Sequence, residues 1–349
     1  KQYKQELAAL NCAVPQHEPR VTEHMPQIVG FIQGLIDKGY AYCTDGDVYF
    51  EVKKFPAYGK LSKQHIDELR SGARVEVDTR KRDPLDFALW KSEPEGTFWK
   101  SPWGFGRPGW HIECSALAYE YLGDQIDIHG GGRDLIFPHH ENEIAQSEGF
   151  FGKPFVNYWV HNGFIVIDKE KMSKSLGNTV TLHDLLTNYD PMILRYYFLQ
   201  HHYLSPIDFS FDDLTASGKS YKRLCTLFDS VPVGSFTINE METMPIMKRL
   251  LDFLADDLNT AGALGVVFDQ LDVLRHDMQQ ASAVKQILQK VMGLTLQPIE
   301  EKEVAITPKI QALLDERERA RVARDFKKAD EIRDKLKELG VEVKDKKTI

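Results

Sequence analysis

The chain has 349 residues, of which 42% are hydrophobic and 28% charged, with a formal net charge of −8. That is the balance of a globular protein of two or three domains, and it excludes a disordered or fibrous chain. Mean hydropathy is −0.38 and no apolar run reaches the ~18 residues that would cross a bilayer, so no membrane partner is expected, while the acidity argues against a general polyanion coat and leaves room for a local basic surface.

Residues 1–40 read as helical: Ile28, Phe31, Ile32, Leu35 and Ile36 recur at i, i+3, i+4 spacing, with Gly39 as the stop. The opening KQYKQELAALN already reads as the middle of a helix, with neither an initiating Met nor an apolar leader. The expectation is that further sequence precedes Lys1. DGDVYFEV (45–52) reads as a strand after an Asp-Gly turn. From 53 to 110 the composition shifts to Pro, Gly, Trp and charge, and regular structure throughout is not expected; residues 41–106 read as an insertion carried by a larger domain. QIDIHGGG (125–132) is a short strand running into glycines, PHHENEIAQSEGF (138–150) begins like a helix with Pro first, and NYWVHNGFIVID (157–168) is one or two strands. Strand, Gly-rich turn, helix, strand is the grammar of a parallel α/β sheet of Rossmann type. Past residue 180 the strands stop, and 181–229 and 244–293 carry apolar residues at helical spacing. The charge-dominated stretch 315–340 reads as one helix, with a core stripe of Phe326, Ala329, Ile332, Leu336 and Leu339 and with Gly340 beyond its end. Its charges form either a solvated face or a nucleic-acid contact.

Cys12, Cys43, Cys114 and Cys225 are too few and too scattered for a disulfide framework. A reducing, cytoplasmic setting follows, in which a lone cysteine is core filler, metal ligand or nucleophile. His139 and Glu143 share a helix face, and Cys114 lies upstream in GWHIECSA. Thiolate, imidazole and carboxylate can form three corners of a tetrahedral zinc site. Spacing alone equally allows a buried Cys beside a surface His–Glu pair, and it does not choose between His139 and His140. In HGGGRD (129–134) the glycines let a ligand approach the backbone and Asp134 can accept from ribose hydroxyls. The other reading is a Gly-rich turn with Asp134 as a helix N-cap. KMSKSLGN (171–178) is a polar loop in which Lys171 and Lys174 can each donate to phosphate oxygens.

The string Lys-Met-Ser-Lys-Ser resembles the second signature of the class I aminoacyl-tRNA synthetases. RPGWHIECSA (107–116), DIHGGGRDLIFPHHENEIAQS (127–147), EKMSKSLGN (170–178), DFALWK (86–91), DDLNT (256–260) and ARDFKKADEIRDKL (323–336) narrow the resemblance to cysteinyl-tRNA synthetases, over essentially the whole chain. The resemblance implies a two-step reaction in which cysteine and ATP, with magnesium, give cysteinyl-adenylate, and tRNA(Cys) then takes the acyl group at its 3′ end. It implies zinc on Cys114, His139 and Glu143, Trp110 and His129 beside the substrate, Gly132 and Asp134 at ATP, and Lys174 with Lys171 facing the pyrophosphate. The family's fourth zinc ligand, a Cys in a Cys-Gly-x-Thr segment, and its HIGH signature do not occur in this sequence, which agrees with the expectation of preceding sequence.

The expected organisation is 1–165 as the later part of a Rossmann-type catalytic domain with an insertion at about 36–106, 166–225 as the loop and linking region, and 226–349 as a helical anticodon-binding region. A monomer is expected. Two alternatives stay open: a catalytically dead tRNA-binding paralogue, and a related ATP-dependent ligase that joins cysteine to an amino sugar.

Overall fold

A computed structural model describes residues 2–64, 80–167, 170–171, 180–299, 308–323 and 325–338. It divides into two units, one of residues 15–162 and one of 1–14 with 163–349.

Helix α1 (Gln2–Ala9) belongs to the second unit. In the first, α2 (Met25–Asp37) buries Ile28, Phe31, Ile32 and Leu35, the expected stripe, and the chain leaves it through Gly39 at φ 78°. The single helical stretch expected over 1–40 is therefore two helices. Between them lie Pro15 and Pro19, which cannot donate to a helical ladder, and only one 3₁₀ turn, Val21–Glu23.

A five-stranded antiparallel sheet follows, in the order β1-β2-β3-β5-β4: β1 (Ala41–Thr44), β2 (Asp47–Phe50), β3 (Phe87–Ser92), β4 (Trp99–Ser101) and β5 (Gly104–Pro108). Asp45 and Gly46, both at positive φ, close the β1–β2 hairpin, as a two-residue turn of the right hand requires. The tryptophan-rich stretch is thus more regular than its composition suggests. Trp90 is fully buried, and Gly106 lies so close to its indole and to the Lys91 carbonyl that a side chain there would collide.

Helix α3 (Trp110–Leu122) leads to β6 (Ile126–Gly132), then α4 (Glu141–Phe151) and β7 (Val156–Asn162). β6 and β7 pair in parallel from Ile126↔Val156 to Gly132↔Asn162, so β6–α4–β7 is the expected βαβ unit. Ile112 and Ala116 of α3 and Ile144 and Ala145 of α4 join α2 and the antiparallel sheet in one core.

The second unit opens with a small sheet of order β10-β8-β9: β8 (Ile165–Ile167), β9 (Glu170–Lys171) and β10 (Ile207–Asp208). β10 is a two-residue exception to the expectation that strands stop after 180. The rest is helical: α5 (Leu182–Asn188), α6 (Pro191–Leu199), α7 (Phe211–Phe228), α8 (Ile238–Glu242), α9 (Pro245–Ala255), α10 (Thr260–Asp269), α11 (Leu271–His276) and α12 (Met278–Lys290), then the pair α13 (Pro308–Val322) and α14 (Phe326–Glu338). Tyr196, Tyr221, Leu224, Phe228, Val267 and Val284 are among its buried core. In place of the helix expected over 315–340 there are two, one ending at Val322 and the next starting at Phe326. Ile332 and Leu336 are buried against Ile310, and Ala329 is buried, but Phe326 is 62% exposed because it starts α14 at the turn. Leu339 and Gly340 lie outside the described residues. Among these, no helix is long and apolar enough to cross a membrane.

Candidate active site

The N-terminal turn of α3 is pressed against β3: at Gly109, its N-cap, any side chain would strike the Ala88 carbonyl. Trp110, His111 and Cys114 then share one side of α3, being one to four positions apart. Opposite stands α4. His139, in the turn just before it, and Glu143, in its first turn, are both buried. His129 reaches the same carboxylate from β6.

Ligand atoms of Cys114, His139 and Glu143 all lie within 4.8 Å of one another. His139 Nε2 is 3.0 Å from Glu143 Oε1, and His129 Nε2 is 3.4 Å from Oε2. Both contacts are within reach but poorly aligned, and neither carboxylate oxygen, fully buried, has a well-formed hydrogen bond. Burial pushes Glu143 up, yet the His129 and His139 contacts more than offset it and hold its carboxyl below the usual range. Burial, with the Glu143 and Glu113 carboxylates, pushes the Cys114 thiol up to about 12. A thiolate beside a buried carboxylate needs a cation. Tetrahedral zinc, with bonds of about 2.0–2.3 Å, spreads its ligands ~3.3–3.8 Å apart. These three residues fit it with little movement.

The imidazoles around this centre are themselves held. His139 Nδ1 is 2.9 Å from His111 Nδ1, which leaves Nε2 for the carboxylate side. His140 Nδ1 is 2.8 Å from His161 Nε2. Burial, with His139 beside it, lowers His111 to about 4, and burial likewise lowers His140 to about 4. Gln146, wholly buried, donates from Nε2 to the His111 carbonyl at 3.1 Å and to Ser115 Oγ at 2.8 Å, tying α4 to α3.

Residues 1–219 match the family model described as the tRNA synthetases class I (C) catalytic domain. Residues 303–349 match the Cysteinyl-tRNA ligase anticodon binding domain. The cysteine–tRNA ligase of Geobacillus thermodenitrificans is 47% identical across 98% of this chain and 77% of its own length. The chain belongs to the cysteine–tRNA ligase family. The cysteine–tRNA ligase of Bacillus licheniformis is 45% identical across 99% of this chain and 77% of its own. Methionyl-tRNA synthetase of Mycobacterium tuberculosis, in complex with methionyl-adenylate, matches with a TM-score of 0.53 at 14% identity, covering 84% of this chain and 78% of that one. That likeness is one of fold alone.

For a cysteine–tRNA ligase family member, the structure brings together five of the residues picked out by sequence: Trp110, Cys114, His129, His139 and Glu143. Trp110 is 59% exposed, with its ring 4.3 Å from that of His139; it lines the rim and is no core tryptophan. The choice between His139 and His140 is sharpened but not closed by position, since His129, His140 and Glu143 also gather within 4.8 Å. Only the His139 set includes the thiol. Gly132 and Asp134 stand at the carboxyl end of β6, the edge at which open α/β sheets bind ligands. Asp134 is not an N-cap: Gly132 holds that position for the short turn Arg133–Leu135. Lys171 ends β9 in the second unit, and Lys174 lies outside the described residues. Sequence reasoning missed His111 and His161. The spacing of His111 and Cys114 was a usable signal; nothing local marks His161, whose partner is 21 residues away.

Proposed function

We propose that the chain activates cysteine with ATP and passes it to tRNA, and that the cluster on α3 and α4 is where the cysteine side chain is recognised. The observation that carries this reading is Glu143, a buried carboxylate whose two oxygens have no hydrogen-bond partner among the described residues and lie beside a thiol and an imidazole. Cys114 Sγ, His139 Nε2 and Glu143 would hold zinc. When bound, that ion supplies a soft acceptor that prefers sulfur to hydroxyl. Such a preference matters because cysteine and serine are nearly the same size, and shape alone gains only ~1–3 kcal/mol from so small a difference.

The remaining work belongs to the chain's own groups. With His139 Nδ1–H donating to His111 Nδ1, 2.9 Å away, the lone pair of His139 Nε2 is free for the metal. Trp110 and His129 flank the amino acid. Gly132 offers backbone to ATP, and Asp134 accepts from its ribose. The cysteine carboxylate attacks the α-phosphorus, the bond to the pyrophosphate oxygen breaks, and Lys174, supported by Lys171, meets the charge that builds on the leaving pyrophosphate, to which magnesium bound with ATP would add positive charge. No side-chain nucleophile is required, so Cys114 serves as ligand. In this reading residues 1–165 are catalytic, with an insertion at about 36–106; residues 166–225 link, and 226–349 carry tRNA-binding helices. The protein acts as a cytoplasmic monomer.

Metal analysis of the intact protein tests the centre. Zinc near one equivalent is expected, falling sharply in Cys114→Ala, His139→Ala and Glu143→Ala. Equal zinc in wild type and all three variants would remove the assignment.

A further inference from the structure

Helix α4 opens with Glu141, Asn142 and Glu143, all buried. At about 100° per residue, Glu141 and Glu143 lie roughly 200° apart and leave the helix on opposite sides. Glu143 enters the cluster described above. Glu141 meets a turn from the far side: it accepts from the backbone N–H of Ser62 at 2.8 Å and, more weakly, of Leu61 at 3.5 Å. The same turn sends the hydroxyl of Tyr58, itself buried, to Asn142 Oδ1 at 2.5 Å. About two turns further along α4, Lys60 Nζ donates to both oxygens of Glu148 at 2.6 Å. Gly59, between Tyr58 and Lys60, stands at φ 94°, and a side chain there would strike the Gln64 carbonyl, so the turn needs glycine.

We infer that segment 55–62 is a clasp that sets the rotation and height of α4, and so positions the Glu143 carboxylate for the thiol-recognising centre. A face that needed only covering would be covered by apolar side chains. Instead it buries a carboxylate at residue 141, which is costly unless directed donors meet it. Two backbone N–H groups are such donors to Glu141, and the Tyr58 phenol is one to Asn142 beside it, fixed in direction in a way that apolar contact is not. The demand for that fixity comes from the other side of the helix. A site of this kind must be held to within about 0.5 Å and 10–20°, and a 1 Å misplacement can cost ~10²-fold. The inference rests on the metal reading of Cys114, His139 and Glu143 proposed above. Tyr58, Glu141 and Asn142 are positioning residues, and none touches the reacting atoms.

The test uses the full-length holoprotein. Tyr58→Phe removes one hydroxyl and keeps the ring; Glu141→Gln keeps one acceptor and loses the other. Zinc retention is read by competition with a chromophoric chelator, and the KM values for cysteine and for ATP are read from pyrophosphate exchange. Zinc affinity should fall about 10-fold in Tyr58→Phe and up to ~10²-fold in Glu141→Gln, the range for groups that orient metal ligands. KM for cysteine should rise with it, and KM for ATP should stay within about twofold. Variants that melt lower but keep wild-type zinc affinity and wild-type KM for cysteine would overturn the inference and leave the clasp a packing feature. Should wild type hold no zinc, the metal reading falls instead, and the clasp stands or falls on the split between the two KM values. If Glu141→Gln does not fold, Tyr58→Phe decides alone.

Discussion

Two helices, one in each unit, bury polar groups to opposite ends. α4 buries Glu141, Asn142, Glu143, Gln146 and Ser147 around only a few apolar side chains, while α12 buries Ala281, Ala283, Val284, Ile287 and Leu288 around Ser282 and Lys285. On α12 every buried polar side chain is answered. Lys285 Nζ donates to the Phe228 carbonyl at 2.8 Å and to the Val231 carbonyl at 2.6 Å, at the C-terminal end of α7, and Ser282 Oγ donates to the Pro232 carbonyl at 2.9 Å. On α4 both Glu143 oxygens, Gln146 Oε1 and Ser147 Oγ have no hydrogen-bond partner among the described residues. Buried polar groups are ordinarily satisfied. A helix that satisfies its own is built for stability, and one that leaves a carboxylate open is built for something not of the polypeptide.

The sharpest way to break that contrast is Glu143→Gln. It keeps the shape and removes the charge. If the open carboxylate serves an ion and a substrate, cysteine-dependent pyrophosphate exchange should fall by at least ~10²-fold, since even groups behind a ligand commonly cost 10–100-fold. Stability should move the same way. The metal-free variant should melt lower than metal-free wild type, because His129 and His139 hold the folded Glu143 carboxyl below its usual range and their contacts with its charge are lost. Exchange within tenfold of wild type would reduce α4 to an unusually polar packing helix.

How much of this was legible beforehand differs along the same lines. The β6–α4–β7 unit could be read because its signals are local: an apolar run into glycines, Pro138 before a helix, and an i,i+4 pair on one face. Helical phase could not choose between His139 and His140, because i+3 and i+4 both return to the side of Glu143, and position beside Cys114 comes from α3, more than twenty residues upstream. The antiparallel sheet was the larger miss. β2 pairs with β3 through Tyr49↔Ala88 and Phe50↔Phe87, and no local pattern in a Gly-, Pro- and Trp-rich stretch reports a partner so distant. The change of helix between Val322 and Phe326 was hidden for the opposite reason, since charges of helical propensity run straight through it. His111, which orients His139, was missed because its role depends on a ring brought in from 28 residues away.

A second test works from the satisfied side. Lys285→Met removes the ammonium from both carbonyls and replaces it with an apolar chain of similar length. Leaving buried acceptors short of a donor costs about 1–3 kcal/mol, and the favourable placement of a cation at the end of α7 is lost as well. Unfolding in urea should show that loss, while exchange activity per folded molecule stays within about twofold. A variant as stable as wild type would mean that these buried contacts, despite their short distances, contribute nothing net, and the contrast with α4 would rest on Glu143 alone.

The smallest expected effect concerns how α12 begins. Asp277 caps it: Oδ1 accepts from the Gln280 N–H at 3.0 Å and Oδ2 from the Gln280 side-chain amide at 2.8 Å. These bonds, the side-chain one foremost, hold the Asp277 carboxyl below its usual range. The sign follows from that. A group whose pKa is lower folded than unfolded adds stability that is complete above the unfolded value, near 3.9, and is lost as pH falls through the folded value. Asp277→Asn keeps a capping oxygen and removes the charge, so comparing it with wild type isolates the charge at the helix N-terminus. The gap should be about 0.3–1 kcal/mol at neutral pH and low salt, toward the low end because the side chain is only partly buried. It should shrink toward zero on titration from pH 5 to pH 3. A gap that grows on acidification would mean that the carboxylate is strained in the cap, and that even the satisfied helix carries polar groups at a cost.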